Sequence, residues 1–410
     1  MVVDPTSILT VAGITIILGY VSSFIFKKTR IPDVIFLLMF GVLIGPMVLN
    51  QVNVDVYIQI SLLLSIVTLI LLLFDSGLEM DIFEMLKDIS RGTLLAILTI
   101  GFSTLGTTLL FMIIFPQLGL LKSLLFGIIL SGTATEIVLP LLQKMKIKDK
   151  IRTVLELETI ILDPITIVTV LTLIAVIQSG AVIGSIGSLL LNTYSGPIFL
   201  GVVIGIVWLV ILDRMKSEEL DYILTLGVML LAYVVVEHLK GSGVMFALVF
   251  GLVLGNSRIF SKVLKLQKVI EVDELIKKFQ KEITFFIISF FFVYTGIIIK
   301  INQFYLFYGI IFSVALILLR IAAIKIGTLG MNLSDTETKI AKTLAARGLA
   351  TALLAQLPLA FGLGDAELIL NIAFVVILAT VIYTTVFTAI YYKPEKLQQS
   401  PAQKIYSKYP

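Results

Sequence analysis

The run TVLELETIILDPITIVTV, residues 153–170, sets Glu156, Glu158 and Asp163 in a stretch whose other residues are almost all apolar. A second run, SGTATE at 131–136, interrupts apolar sequence with Thr133 and Glu136. A third, AKTLAARGLATALLAQLP at 341–358, carries Arg347 and Gly348. Carboxylate, hydroxyl and carbonyl oxygens are the ligands that hard cations take. A carboxylate also takes a proton, so a single buried one can hold either species in turn. The chemistry these residues offer is therefore binding of a small cation in competition with H+.

The elements that must position them are membrane helices. Of 410 residues, 58% are hydrophobic and only 14% charged, with a mean hydropathy of +1.08; a soluble protein is about one quarter charged. Apolar stretches long enough to cross a hydrocarbon core of roughly 30 Å recur along the whole chain, as expected of one polytopic, all-α transmembrane domain over 1–410. The spacing predicts spans at 7–26, 32–50, 57–78, 93–115, 121–143, 152–178, 195–213, 219–239, 242–257, 281–299, 303–324, 337–360 and 366–392, about thirteen in all. The first is too long for a signal-peptide core and reads as a retained helix. With no cysteine, disulfides and thiolate metal sites are excluded.

With the N-terminus outside, every lysine and arginine except Lys122, Lys240, Lys300, Arg320 and Arg347 falls on a cytoplasmic connection or the C-terminal tail. The positive-inside rule thus predicts N-out and C-in. The net charge of +4 then belongs to loops facing one side of a bilayer, not to a nucleic-acid surface. An odd number of spans puts 7–178 and 219–392 in opposite senses around a linking helix at 195–213, the arrangement of inverted repeats of about six helices. Residues 180–195 read either as an interfacial segment or as part of that linker. Residues 258–281 alternate apolar and basic positions at helical spacing, which predicts an amphipathic helix on the cytoplasmic surface.

A charge at mid-bilayer costs roughly 2.5 to 3.5 kcal/mol even on lenient scales, so ionisable residues left there are functional candidates. They are Glu136, Glu158, Asp163, Arg320 and Arg347, with Asp75, Glu79 and Glu156 nearer the interface. Asp163 lies about eleven residues, or roughly 16 Å, into its helix. Thr159 is one turn away on the same face, whereas Glu158 points about 140° elsewhere. Pro164 removes a backbone donor and frees a carbonyl, which suits an ion site. Glu158 reads instead as half of a buried ion pair, and its depth favours Arg320 over Arg347 as partner. The small and polar residues 132–136 suit an unwound segment whose carbonyls and half-helix ends face ions. Glu136 is balanced between a ligand role and a carboxylate reaching a water-filled funnel.

TRIPDVIFLLMFGVLIGP at 29–46, SGTATE followed by LELETIILDP at 155–164, and AARGLATALL at 345–354 together resemble the monovalent cation/proton antiporter superfamily. The likeness to NhaP-like and NHE-like sodium/proton exchangers covers essentially the whole chain. It implies a homodimer in which each protomer has two inverted repeats with crossed, discontinuous helices, an NhaA-like fold. It also implies Asp163 as the ion-binding and proton-carrying acid, Thr133 and Thr159 as further metal ligands, Glu158 paired to a buried arginine, and Arg347-Gly348 at the second helix break. Two departures stand out. Leu162 occupies the position before the aspartate where the family has Asn or Asp, and Thr133-Ala134-Thr135 replaces its Thr-Asp-Pro.

The expected function is exchange of Na+ or Li+ for H+ across a prokaryotic plasma membrane through Asp163, electroneutral because Leu162 adds no second carboxylate. The alternative is K+/H+ exchange. Two readings from other classes are a passive cation channel and a membrane enzyme. Against the enzyme, the single histidine, His238, sits at a helix end, with no second ligand or intramembrane aspartate pair to work with. No cofactor is expected beyond the transported ions, and the partners are those ions, lipid and a second copy of the chain.

Overall fold

A bilayer core offers no water to backbone groups, so apolar spans must satisfy their own N–H and C=O groups as helices. The computed structural model describes residues 5–29, 33–45, 54–80, 91–143, 145, 147–180, 186–215, 221–264 and 274–391, and among them there is helix and connection but no strand. The first half contributes α1 (Pro5–Thr29), α2 (Asp33–Ile44), α3 (Val54–Glu79), α4 (Arg91–Ile114), α5 (Gly119–Ile129), α6 (Thr135–Gln143) and α7 (Asp149–Ser179). Then follow α8 (Ile186–Arg214), α9 (Asp221–His238), α10 (Gly243–Gly255), α11 (Ser257–Leu264), α12 (Glu274–Ile298), α13 (Gln303–Gly327), α14 (Asp335–Thr343), α15 (Leu349–Ala360) and α16 (Ala366–Tyr391). Six of the described helices are long and apolar enough to cross a membrane by themselves.

Local chemistry sets several ends. Asn302 accepts from the Tyr305 N–H at the start of α13, and Ser334 and Glu337 form a reciprocal capping box on α14, satisfying donors that a helix N-terminus leaves open. Gly180, at φ +59°, closes α7.

Three boundaries differ from the periodicity reading. The expected spans 121–143 and 337–360 are each two helices separated by non-helical backbone at 130–134 and 344–348. The expected span 195–213 starts earlier, at Ile186, so residues 186–194 belong to it. Of the expected surface helix 258–281, α11 and the first turns of α12 are helical, and residues 265–273 lie outside the described residues.

The helices sort into two bundles, each drawing on both halves of the chain. One packs α1, α2 and α3 with α8 to α12; the other packs α4 to α7 with α13 to α16. In the first, α3 and α10 approach to backbone contact: a Cβ on Gly251 would strike the Phe74 carbonyl, and one on Gly255 the Leu78 carbonyl. Small residues at such a crossing let membrane helices pack where no hydrophobic force between them operates. The second is centred on Phe111, Phe126 and Phe312 from α4, α5 and α13, with Phe111 and Phe126 stacked at 4.2 Å.

Between the bundles, contact runs mainly through α15 on α3, with α7 touching α3 and α8. A buried polar cluster lies in this seam. Gln356 on α15 accepts from Ser61 (3.0 Å) and Ser65 (2.5 Å) of α3 and donates to Thr295 of α12 (2.5 Å). Removing one member of a buried set leaves its partners desolvated, at about 1–3 kcal/mol. Gln356→Leu is therefore expected to lower the unfolding midpoint in detergent, and an unchanged midpoint would show that the seam does not depend on it.

Among the described residues, three ion pairs each join connections that the sequence reading assigns to the same membrane side. Lys148 pairs with Glu337, Lys122 with Asp365 at 2.6 Å and Lys300 with Glu367 at 2.7 Å. His238 is exposed at the end of α9, its Nδ1 2.8 Å from the Val234 carbonyl.

Candidate ion-binding site

The two interruptions cross each other. The Ala134 N–H donates to the Ala346 carbonyl at 2.9 Å, joining the non-helical backbone of one break to that of the other. Thr380 and Thr384 of α16 hold the second break open by accepting from the Arg347 and Ala345 N–H groups. Gly348 is required by close approach: a Cβ there would collide with the Glu136 carboxylate and with the Ala134 side chain.

Half-helices ending in the protein interior expose partial charges, positive at N-termini and negative at C-termini. Two of these ends are met by a side chain from the other break. Arg347 Nε donates to the Leu130 carbonyl at 2.6 Å, at the end of α5, and Nη1 donates to its own segment's Ala345 carbonyl. In the opposite direction, Glu136 Oε1 accepts from the Leu349 N–H at 2.5 Å, at the start of α15. Glu136 also lines a cavity of ≈220 Å³ with Asp75, Thr284, Phe285 and Leu349, so it combines an electrostatic role at the crossing with access to open space.

Asp163 lies next to the crossing, buried on α7 directly before Pro164. Its Oδ2 accepts from the Thr135 hydroxyl at 2.6 Å, whereas Oδ1 is buried without a hydrogen-bond partner. Of the two other hydroxyls expected at this place, Thr133 is buried and its Oγ1 is likewise unpartnered. Thr159 donates to the Leu155 carbonyl at 2.7 Å, back along its own helix. Leu162 is fully buried and adds no polar atom. A buried carboxylate oxygen and a buried hydroxyl that bond to nothing are costly features to retain.

Glu158 points away from this site, as its position on the helix requires. Both its oxygens meet the Arg320 guanidinium of α13, Oε1 with Nη1 and Oε2 with Nη2, the latter at 2.9 Å. Thr99 of α4 bridges the pair, donating to Glu158 Oε1 at 2.6 Å and accepting from Arg320. Arg347 reaches Ser103, one turn along the same face of α4, at 3.4 Å. Both arginines thus lie along one helix. Sequence reasoning had not singled out Thr135, Thr99 or Ser103. The signal for the last two was present: Thr99, Ser103 and Thr107 recur every four residues in an apolar helix and are all buried, one polar stripe turned inward.

Comparison with known proteins accords with this architecture. Residues 13–393 match the family model described as sodium/hydrogen exchanger, transmembrane. The chain is 29% identical over 311 residues to probable Na+/H+ antiporter 2 of Methanocaldococcus jannaschii, covering 70% of this chain and 71% of that protein. It is 22% identical over 381 residues to the K+/H+ antiporter NhaP of Alkalimonas amylolytica, covering 91% of this chain and 64% of that protein. Its fold superposes on the structure of the sodium proton antiporter MjNhaP1 from Methanocaldococcus jannaschii with a TM-score of 0.76, at 22% identity over 93% of this chain and 97% of the other. With two broken helices crossing beside a buried aspartate and a family match over nearly its whole length, the chain belongs to the sodium/hydrogen exchanger family.

Proposed function

We propose that this chain exchanges Na+, or Li+, for H+ across a prokaryotic plasma membrane, with N-terminus outside, C-terminus inside, and two copies forming a homodimer. The observation that carries the reading is Asp163: a buried carboxylate beside crossed helix breaks with one oxygen held by Thr135 and the other unpartnered. Cation and proton compete for that oxygen, with Thr133 and Thr159 as further oxygen donors. Glu136 and Arg347 balance the helix ends, and Glu158 with Arg320 braces the bundle. The halves 7–178 and 219–392 act as inverted repeats around the helix that includes 195–213, and movement of one bundle against the other would carry the site between the two faces. The transported ions are the only small molecules in this reading, which includes neither cofactor nor enzymatic step.

The test is uptake of Na+ by proteoliposomes under an imposed pH gradient, with proton counterflow recorded. A passive channel would conduct Na+ without stoichiometric H+ movement, and that result would reject exchange. A second reading, K+/H+ exchange, is favoured by Leu162, since loss of a polar group suits a larger, more easily dehydrated ion; K+ replacing Na+ as the preferred driver of counterflow would establish it.

Stoichiometry gives a separate prediction. With Asp163 as the one titrating ligand, each half-cycle carries the same charge, so exchange is expected to be indifferent to a potential clamped with valinomycin and K+. A voltage-dependent rate would reject the single-carboxylate scheme, and its disappearance in Glu136→Gln would identify the second group.

A further inference from the structure

Three side-chain oxygens converge on Gly132, in the first break. The point where a Cβ on that glycine would stand is 3.9 Å from Asp163 Oδ1, 3.8 Å from Thr351 Oγ1 and 3.7 Å from Thr166 Oγ1. Asp163 and Thr166 come from α7, Thr351 from the first turn of α15, and all three residues are at least nine-tenths buried. The small space that glycine leaves open is thus ringed by oxygens from both halves of the chain.

The chemistry of each oxygen suits a cation. Asp163 Oδ1 has no hydrogen-bond partner and supplies the negative charge. Thr166 spends its proton on its own helix, donating to the Leu162 carbonyl at 3.0 Å and the Asp163 carbonyl at 2.9 Å, so lone pairs are what it presents outward. Thr351 brings the only oxygen of the ring that belongs to the second broken helix. A monovalent cation would lose its hydration here against one carboxylate and two hydroxyls, with a neutral leucine at 162 contributing nothing.

We infer that Thr351 is a cation ligand of this protein, and that the ion sits beside Gly132 between Asp163, Thr166 and Thr351. A ligand on α15 also ties the two halves together: the ion would join α7 to the start of α15, next to the Leu349 N–H that Glu136 holds. This inference rests on the proposed role of Asp163 and adds to it the ligand that helps choose the ion.

The experiment compares Thr351→Val, which keeps shape and removes the oxygen, with Thr351→Ser, which keeps the oxygen. Gly132→Ala is the second probe, because its methyl would meet only ordinary van der Waals contacts yet would fill the space the ion needs. The readouts are the half-saturating Na+ concentration for exchange in proteoliposomes, the order of preference among Li+, Na+ and K+, and the shift of unfolding midpoint on adding NaCl in place of choline chloride. Thr351→Val and Gly132→Ala are expected to raise the half-saturating Na+ about tenfold and to shrink the Na+-dependent stabilisation, while Thr351→Ser stays within about threefold of the parent. If Asp163→Asn abolishes exchange but Thr351→Val and Gly132→Ala leave half-saturation and ion preference unchanged, the ligand assignment is wrong and the Asp163 reading stands. If Asp163→Asn still exchanges, both fail together. Should Thr351→Val not fold, Gly132→Ala decides alone.

Discussion

Asp163→Asn is expected to reduce pH-driven Na+ uptake by about a thousandfold while the protein remains folded. The substitution preserves the shape of the side chain and an oxygen able to accept from Thr135, and it removes the charge and the titratable proton together. A unit charge a few Å from a cation is worth about 4 kcal/mol at an effective dielectric constant near 20, which is about three decades in occupancy. Folding should not suffer, because a neutral amide is cheaper to bury than a carboxylate whose Oδ1 has no partner. An unfolding midpoint equal to or above that of the parent, with uptake at the level of empty liposomes, is the expected pair of results. Uptake near the parental rate would sink the assignment.

The second large effect concerns stability. Glu158 and Arg320 are both buried and doubly bonded to each other, with Thr99 shared between them. Breaking one side of such a pair leaves an uncompensated charge in a medium that cannot solvate it, at roughly 3 to 5 kcal/mol. Glu158→Gln and Arg320→Met are each expected to lower the unfolding midpoint sharply, and the double variant to lose much less than the two single losses combined. Strict additivity across that cycle would mean that the residues do not share an interaction. The pair is distinct from the ion site, so protein that survives Glu158→Gln should keep its preference among cations.

The helical architecture was largely legible because a bilayer makes one rule dominant: a run of about twenty apolar residues is a span. The ends of α4, α13 and α16 fall within three residues of the boundaries expected from periodicity. Charges stranded in those runs, Asp163, Glu158, Arg320 and Arg347, stood out for the same reason, since each is expensive where it lies. Hydropathy shows the interruptions at 130–134 and 344–348 only as a weakening of apolar pattern around Gly132 and Gly348 and cannot distinguish a kinked helix from two half-helices; the small and polar residues at 132–136 and the family resemblance at Arg347-Gly348 are what marked them as breaks.

What the sequence by itself determined is the class of protein, the membrane helices, and the few ionisable residues that must have partners. Only the tertiary structure decided who those partners are. Helical phase put Glu158 and Asp163 on different faces and depth favoured Arg320 as the partner of Glu158, as α4 and α13 then place it, but nothing in the sequence said that Arg347 would turn to the Leu130 carbonyl. Thr133 lies in the non-helical break and Thr135 two residues on, at the first position of α6, so no single periodicity says which hydroxyl faces Asp163; the backbone path fixed by the Ala134–Ala346 hydrogen bond places Thr135 there. Thr351 and Gln356 lie in a helix whose entire described surface is buried or nearly so, which erases the polar-face signal that marks an interior residue elsewhere. Their partners, Gly132 for Thr351 and Ser61 with Ser65 for Gln356, are separated from them by more than two hundred residues of chain. Contacts at that separation follow from how two bundles close on each other, because a local pattern specifies a helix's apolar length and not the helix it meets.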